Sequence, residues 1–250
     1  KIQDENGCSF IIGEYIDKGS FSKVYALECC LTRRRLAGKF ISKEKLQRHG
    51  ISNAVWNEIG IHRRLRHKNI VQFLTYIELG SHIIIVLEYC SRYSMVHIIH
   101  ALKTLTASEA KHFMIQVVSA VEYLHSNKIV HRDIKLGNLF VDKQFAVKLG
   151  DFGFAIAIKY EGQKRFSRCG TSYYIAPEVI NGIGYSYEVD VWALGCILHT
   201  MLEGTPPFQG PNTTTTYNNI IRCQYRPSSR INYSAQTLIN SRSQLGIHLK

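Results

Sequence analysis

Short apolar runs at residues 10–16 and 23–29 flank a Gly/Ser turn, and a third run follows at 36–41. Bounded by turn residues, these runs predict strands. Over 52–66 the pattern changes: Val55, Ile59, Ile61 and Leu65 recur near the helical period, which predicts a helix with Ser52 as its cap. Residues 71–78 and 82–88 then predict a hairpin closed around Leu79, Gly80 and Ser81. From residue 91 onward the chain reads as mainly helical. Over 107–125, Phe113, Met114, Val117, Val118, Val121 and Leu124 share one face, and 188–202 is apolar almost all round, which predicts a buried central helix. The polar tract 212–219 reads as a loop or a weak helix. With no internal repeat and no long linker, the pattern predicts an α+β chain in two lobes around a cleft. The lobes are a β-rich one over 1–87 and a helical one over 92–250, joined by a hinge at 88–91.

Composition changes this picture little. The 250 residues are 45% hydrophobic and 20% charged, which suits a globular protein able to bury a core. The longest strongly apolar stretch, 83–87, is far too short to span a bilayer. Charge says more. Lys plus Arg number 31 against 19 for Asp plus Glu, a net +12 that favours an anionic partner: a nucleotide, an acidic peptide, nucleic acid or an acidic membrane surface. A solvated basic surface explains the same number equally well. Seven cysteines, at 8, 29, 30, 90, 169, 196 and 223, form no CxxC pair and no metal-ligand spacing with the histidines. They are expected to be reduced thiols, mostly small buried hydrophobes, in a cytoplasmic or nuclear setting. The start at Lys1, without a visible signal peptide, is that expected of an excerpt from a longer chain.

The chemistry is carried by three motifs. His131-Arg132-Asp133-Ile134-Lys135-Leu136-Gly137-Asn138 places an acid and an amide five residues apart; Asp151-Phe152-Gly153 begins thirteen residues after Asn138; Ala176-Pro177-Glu178 closes the segment. Each triplet alone is weak, but all three in this order match the protein-kinase template, and the chain resembles the serine/threonine protein kinases. Phosphoryl transfer is chiefly positioning and charge neutralisation. The resemblance makes Asp133 the group that orients the acceptor hydroxyl, with Lys135 steadying the γ-phosphate of ATP. Asn138 and Asp151 supply the hard oxygen ligands that Mg²⁺ prefers. Upstream, Lys39 in the third strand and Glu58, nineteen residues later in the helix, are the expected phosphate-pairing lysine and its ion-pair partner. The phosphate-covering stretch, Ile16, Asp17, Lys18, Gly19, Ser20, Phe21, Ser22, Lys23 and Val24, keeps only the middle glycine of its pattern. Lys135 two residues after Asp133, and Thr171 in a substrate-docking loop, select serine/threonine over tyrosine. Arg132 before Asp133 implies control by phosphorylation of the activation segment.

His131 to Phe140, Arg168 to Val179 and Tyr187 to Ile197 together look like a polo-like kinase, as do the stretches 37–43 and 87–90. The resemblance implies that Leu87 is the gatekeeper, that Glu88 and Cys90 meet adenine through their backbones, and that Asp190 anchors the catalytic loop. It makes Ser167 the activating phosphosite, served by an upstream kinase. It also implies protein substrates with acidic residues ahead of the target Ser/Thr, a role in cell-division control, and association with centrosome or spindle. No nucleic-acid partner is expected, since no finger, helix-turn-helix or RNA-binding signature is present. Three departures stand out. Asp17 and Ser22 replace loop glycines. After Ile239 the family's apolar helix and Asp-Pro-x-x-Arg-Pro turn are missing, so the C-terminal end looks truncated and Glu178 lacks its usual arginine. No polo-box region is present. The rival reading, a catalytically weak kinase-like binding module, rests on these departures.

Overall fold

The computed structural model of the chain describes residues 1–19, 21–90 and 94–225. Its N-terminal part is a six-stranded antiparallel sheet built from β1 (Ile2–Gln3), β2 (Ser9–Lys18), β3 (Ser22–Cys29), β4 (Arg35–Ser42), β5 (Phe73–Glu78) and β6 (His82–Glu88), in the order β1-β2-β3-β4-β6-β5. Strands β3 and β4 are the central pair, β6 lies between β4 and the edge strand β5, and Ile84, Ile85 and Val86 on β6 are fully buried. The register sets Lys39 of β4 opposite Ile85 of β6 and Val24 of β3, so the lysine sits in the middle of the sheet.

Between β4 and β5 lie α1 (Lys43–Arg48), which sequence pattern did not reveal, and α2 (Ser52–His62). Ser42 caps α1 by accepting from Lys45 N–H. Ser52 does not cap α2: it is the first helical residue, and Ile51 occupies the cap without a side-chain hydrogen bond. The helix also stops at His62, short of the expected 66. Its apolar residues divide between two cores. Val55 and Ile59 pack with Ile41, Phe73, Ile83 and Ile85 against the sheet, whereas Ile61, with Leu65 beyond the helix end, joins the core of the helical part. A helix held from both sides in this way places Glu58, on its buried face, at the junction.

The C-terminal part contains α3 (Met95–Leu102), α4 (Ala107–Ser126), β7 (Ile129–Val130), a 3₁₀ turn at Leu136–Asn138, the hairpin β8 (Leu139–Val141) and β9 (Val147–Leu149), β10 (Ile156–Ala157), α5 (Pro177–Ile180), α6 (Glu188–Glu203) and α7 (Thr213–Ile221). Thr106 and Glu109 form a reciprocal capping box at the start of α4, worth about 1 kcal/mol. Phe113, Val117, Val121 and Leu124 bury as expected, along with Ala110 and Ala120; Val118 instead lies 45% exposed, because the buried stripe is narrower than the apolar pattern. The polar tract becomes a true helix: Asn212 caps α7 by accepting from Thr215 N–H, and Thr216 and Ile220 anchor its inner face. Gly204 ends α6 in the left-handed region, where a Cβ would come within 2.5 Å of the Lys103 carbonyl. No disulfide forms. Only Cys29 and Cys196 are buried; the other five cysteines are half-buried, fewer hidden thiols than expected.

This is the two-lobed kinase architecture: a β-rich lobe with α2 packed on it, and a mainly helical lobe. The expected truncation after Ile239 lies outside the described residues, as do Ser20 in the phosphate-covering loop and Ser91 in the hinge.

Candidate active site

The site forms where α2, the sheet and the loops after β7 and β9 converge. Lys39 reaches down from β4, its Nζ lying 2.8 Å from Glu58 Oε1, 3.1 Å from Glu58 Oε2 and 2.7 Å from Asp151 Oδ1. Three charges separated by 112 residues of chain thus form one cluster. Burial works to discharge Lys39, but the two carboxylates outweigh it and hold the ammonium's pKa above its ordinary value. Lys39 in turn pulls Asp151 down to about 2, so this carboxylate stays ionised at any working pH. Glu58, the deepest of the three, is pushed up by its burial, with the ammonium opposing. Gly153 completes the cluster by its lack of a side chain, since a Cβ there would sit 3.4 Å from Asp151 Oδ1 and 3.5 Å from Glu58 Oε2.

A second cluster surrounds Asp133. Its Oδ1 accepts from Thr171 Oγ1 at 2.8 Å, and its Oδ2 accepts from Lys135 Nζ at 2.7 Å and Asn138 Nδ2 at 3.2 Å. Lys135 Nζ also donates to Thr171 Oγ1 at 2.9 Å, closing a triangle. Asn138 Nδ2 donates again to the Asp133 carbonyl, so the amide is turned with its nitrogen toward Asp133, leaving its oxygen as the group for a cation.

The backbone that presents these groups is strained. Arg132 and Asp151 both take positive φ, 69° and 60°, a conformation that non-glycine residues adopt only when the surroundings impose it. Asp190 near the start of α6 provides the hold: its carboxylate accepts from His131 N–H at 2.9 Å and Arg132 N–H at 2.8 Å, and lies 2.9 Å from His125 Nε2. The His131 ring ties the two strained loops together, its Nδ1 accepting from Asp133 N–H and its Nε2 donating to the Gly150 carbonyl. Phe152 is fully buried between rings, its centroid 5.0 Å from that of His131 and 4.4 Å from that of His62.

Arg132 also spans the activation segment. Its Nε donates to the Phe154 carbonyl, and one terminal nitrogen donates to Ser167 Oγ at 2.7 Å and to Tyr185 OH at 3.0 Å. Tyr185 OH in turn donates to the Ser167 carbonyl. Ser167 therefore already lies against the guanidinium that a phosphate on it would engage.

The remaining expected residues are more loosely gathered. Asp17 is exposed at the end of β2, paired with Val24, and its carboxylate accepts from Lys18 N–H at 2.7 Å. Ile16, Lys18 and Gly19 lead through the turn to Phe21, Ser22, Lys23 and Val24 on the other side, closed by Gly19 N–H donating to the Ser22 carbonyl. Glu88 and Leu87 end β6. The Glu88 carboxylate accepts from Gln72 N–H at 3.1 Å and pairs with Lys148 at 2.9 Å. Cys90 beside it is pushed up to about 12 by burial, which keeps its thiol protonated. Glu178 is half-buried, and among the described residues no cation comes within ion-pair distance; Lys164 pairs with Glu188 instead. Burial raises its pKa accordingly.

Sequence reading missed His62 and Tyr185. The first was open to discovery, standing one helical turn after Glu58 on the same face of α2. Tyr185 carried no local signal, because its partners Arg132 and Ser167 are brought to it only by the fold.

The protein kinase domain profile matches residues 10–245. The chain belongs to the protein kinase family. Its kinase domain is 41% identical over 225 residues to Serine/threonine-protein kinase polo of Drosophila melanogaster, covering 90% of this chain and 39% of that protein. Against Serine/threonine-protein kinase PLK1 of Xenopus laevis it is 39% identical over 230 residues, 92% of this chain and 38% of the relative. Serine/threonine-protein kinase plk-2 of Caenorhabditis elegans is 41% identical over 227 residues, 91% and 36%. The polo-like resemblance read from the motifs is thus matched along most of the kinase domain. The chain spans less than two-fifths of the length of these curated relatives.

Proposed function

We propose that the chain is an ATP-dependent serine/threonine kinase domain of polo-like type, transferring the γ-phosphate to protein hydroxyls. The observation that carries this reading is the simultaneous assembly of both clusters: Lys39 bound to Glu58 and Asp151, and Asp133 bound to Lys135 and Thr171. An ATP site needs a fixed ammonium for the phosphates, and Lys39 is held charged in the middle of the sheet. The donor set suits Mg²⁺, since Asp151 is ionised and Asn138 has its amide oxygen to give; bound there, the cation would neutralise charge on the phosphates. Asp133 accepts the proton of the incoming hydroxyl, which takes the place of Thr171 Oγ1 as its hydrogen-bond donor. Lys135, already 2.7 Å from Asp133, steadies the transferring group from the same side. The strained, triply anchored backbone keeps these atoms in place without reorganisation at the moment of transfer.

Protein substrates with acidic residues near the target, a role in cell division and a cytoplasmic or nuclear location belong to the same proposal. They are supported by the polo-like relatives, the basic charge and the unpaired thiols. Asp17, whose carboxylate engages a loop N–H, favours the alternative of a weakly catalytic binding module. A radiolabelled-ATP assay on an acidic generic protein, comparing wild type with Asp133→Asn, separates the two. Loss of a positioned base lowers turnover by at least ~10²-fold; equal turnover in both proteins removes Asp133 from the mechanism, and no turnover in either favours the binding module.

A further inference from the structure

The activation segment carries Lys164, Arg165 and Arg168 within five residues, and the structure uses the three differently. Lys164 pairs with Glu188 at 2.6 Å, and Arg165 donates to the Ala157 carbonyl. Arg168 is exposed and, among the described residues, makes neither an ion pair nor a hydrogen bond. It also turns away from the phosphosite. Ser167, itself exposed, hydrogen-bonds Arg132 and Tyr185, whereas the guanidinium of the next residue lies over the ring of Tyr217 on α7, 4.9 Å from its centroid. An exposed arginine is ordinarily only solvated. This one is seated on an aromatic platform, which restricts its rotamers and leaves its edge donors free. The α7 sequence Thr213–Ile221 has no charged residue, so nothing on the platform helix neutralises it.

A short chain of contacts runs from this platform to the catalytic acid. Tyr217 OH donates to Ser172 Oγ at 3.4 Å, Ser172 follows Thr171, and Thr171 Oγ1 donates to Asp133. Arg168 stands only three residues before Thr171, a chain span of at most about 11 Å, and residues flanking a hydroxyl at Asp133 each advance about 3.3 Å in extended form, so about three of them cover the same distance. We propose that Arg168 is a specificity-determining residue, reading a carboxylate or phosphate side chain within about three residues of the target hydroxyl. This rests on the kinase reading above and names the group in the chain that selects anionic peptides.

The test is a peptide series: a neutral parent with one serine, and variants with a single Asp at each of the three positions on either side. The readout is the kcat/KM ratio of each variant to the parent. Wild type should favour at least one Asp position by about threefold to tenfold, the range of a partly exposed charge-assisted contact. In Arg168→Gln that preference should vanish. In Arg168→Glu it should invert, with the Asp peptide falling below the neutral parent. A purely structural role, stapling α7 to the segment, would lower every peptide by one factor and leave the ratios unmoved; that result overturns the proposal. So does an Asp preference that survives Arg168→Gln, or a wild type indifferent to Asp. If wild type phosphorylates none of the peptides while turning over protein substrates, the specificity proposal falls alone; if it phosphorylates nothing, the kinase reading falls first and takes this with it.

Discussion

Acidification should destabilise this domain through one identifiable side chain, His62. The imidazole is 1% exposed, packed between Phe73 and Phe152 with centroid distances of 5.8 and 4.4 Å, and its Nε2–H donates to the Val71 carbonyl at 2.7 Å. Its Nδ1 is buried without a partner, so a second proton there would have no acceptor. Burial accordingly lowers its pKa from 6.5 to about 4. The folded value lies below the unfolded one, so the unfolded chain takes up the proton first. The stability His62 contributes is complete above about pH 6.5 and is lost as pH falls toward 4. A gap of about 2.5 pH units at 1.36 kcal/mol each bounds the effect near 3 kcal/mol, of which about 2 kcal/mol is lost by pH 5. At ~2–4 °C per kcal/mol for a domain of this size, that is a fall of roughly 4–8 °C in melting temperature. Thermal melts of wild type and His62→Leu at pH 8, 7, 6 and 5 isolate the contribution, because other titrating groups are common to both proteins. Whatever the variant costs at pH 8, its melting temperature should fall less steeply with pH than that of wild type. Parallel curves would refute the argument, since they would mean that His62 takes its proton as easily folded as unfolded.

Three further outcomes follow from the site. Lys39→Met removes the cation shared by Glu58 and Asp151 and should lower phosphotransfer by at least ~10²-fold, or about 2.7 kcal/mol of barrier, in the radiolabel assay; retained turnover would show that the phosphates are held elsewhere. Ser167→Ala should be poorly active and Ser167→Asp partly restored, because Arg132 waits 2.7 Å from that hydroxyl for an anion; three equal activities would reject the switch. Asp17→Gly should tighten Mg·ATP binding a few-fold by calorimetry, since it withdraws a carboxylate from the phosphate-covering loop and frees Lys18 N–H; unchanged affinity would mean that Asp17 stays clear of the nucleotide.

Much of this protein was readable along the chain because its chemistry is local in sequence. Asp133, Lys135 and Asn138 fall within one loop whose spacing alone suits phosphoryl transfer, and the β-rich front and helical back follow from apolar pattern and turn residues. Lys39 and Glu58 were legible one step further out, each as a residue type in the right kind of element. What the pattern left open is what packing decides. Val118 carries the same apolar signature as Val117, yet one is exposed and the other fully buried, because only the neighbouring elements define how wide the covered stripe is. Ser52 has a capping side chain that the helix start does not use. The polar tract before residue 222 holds as α7 because its cap and two inner residues find a surface to dock on. Asp190 contacts His131 and Arg132 across nearly sixty residues, and Tyr185 and Tyr217 meet Ser167 and Arg168 only once the activation segment is laid over the helical lobe. Residue type and spacing determine which groups are available for catalysis. Long-range packing determines which of them are held charged, strained and within reach of one another, because burial and partner distance are properties of the folded chain alone.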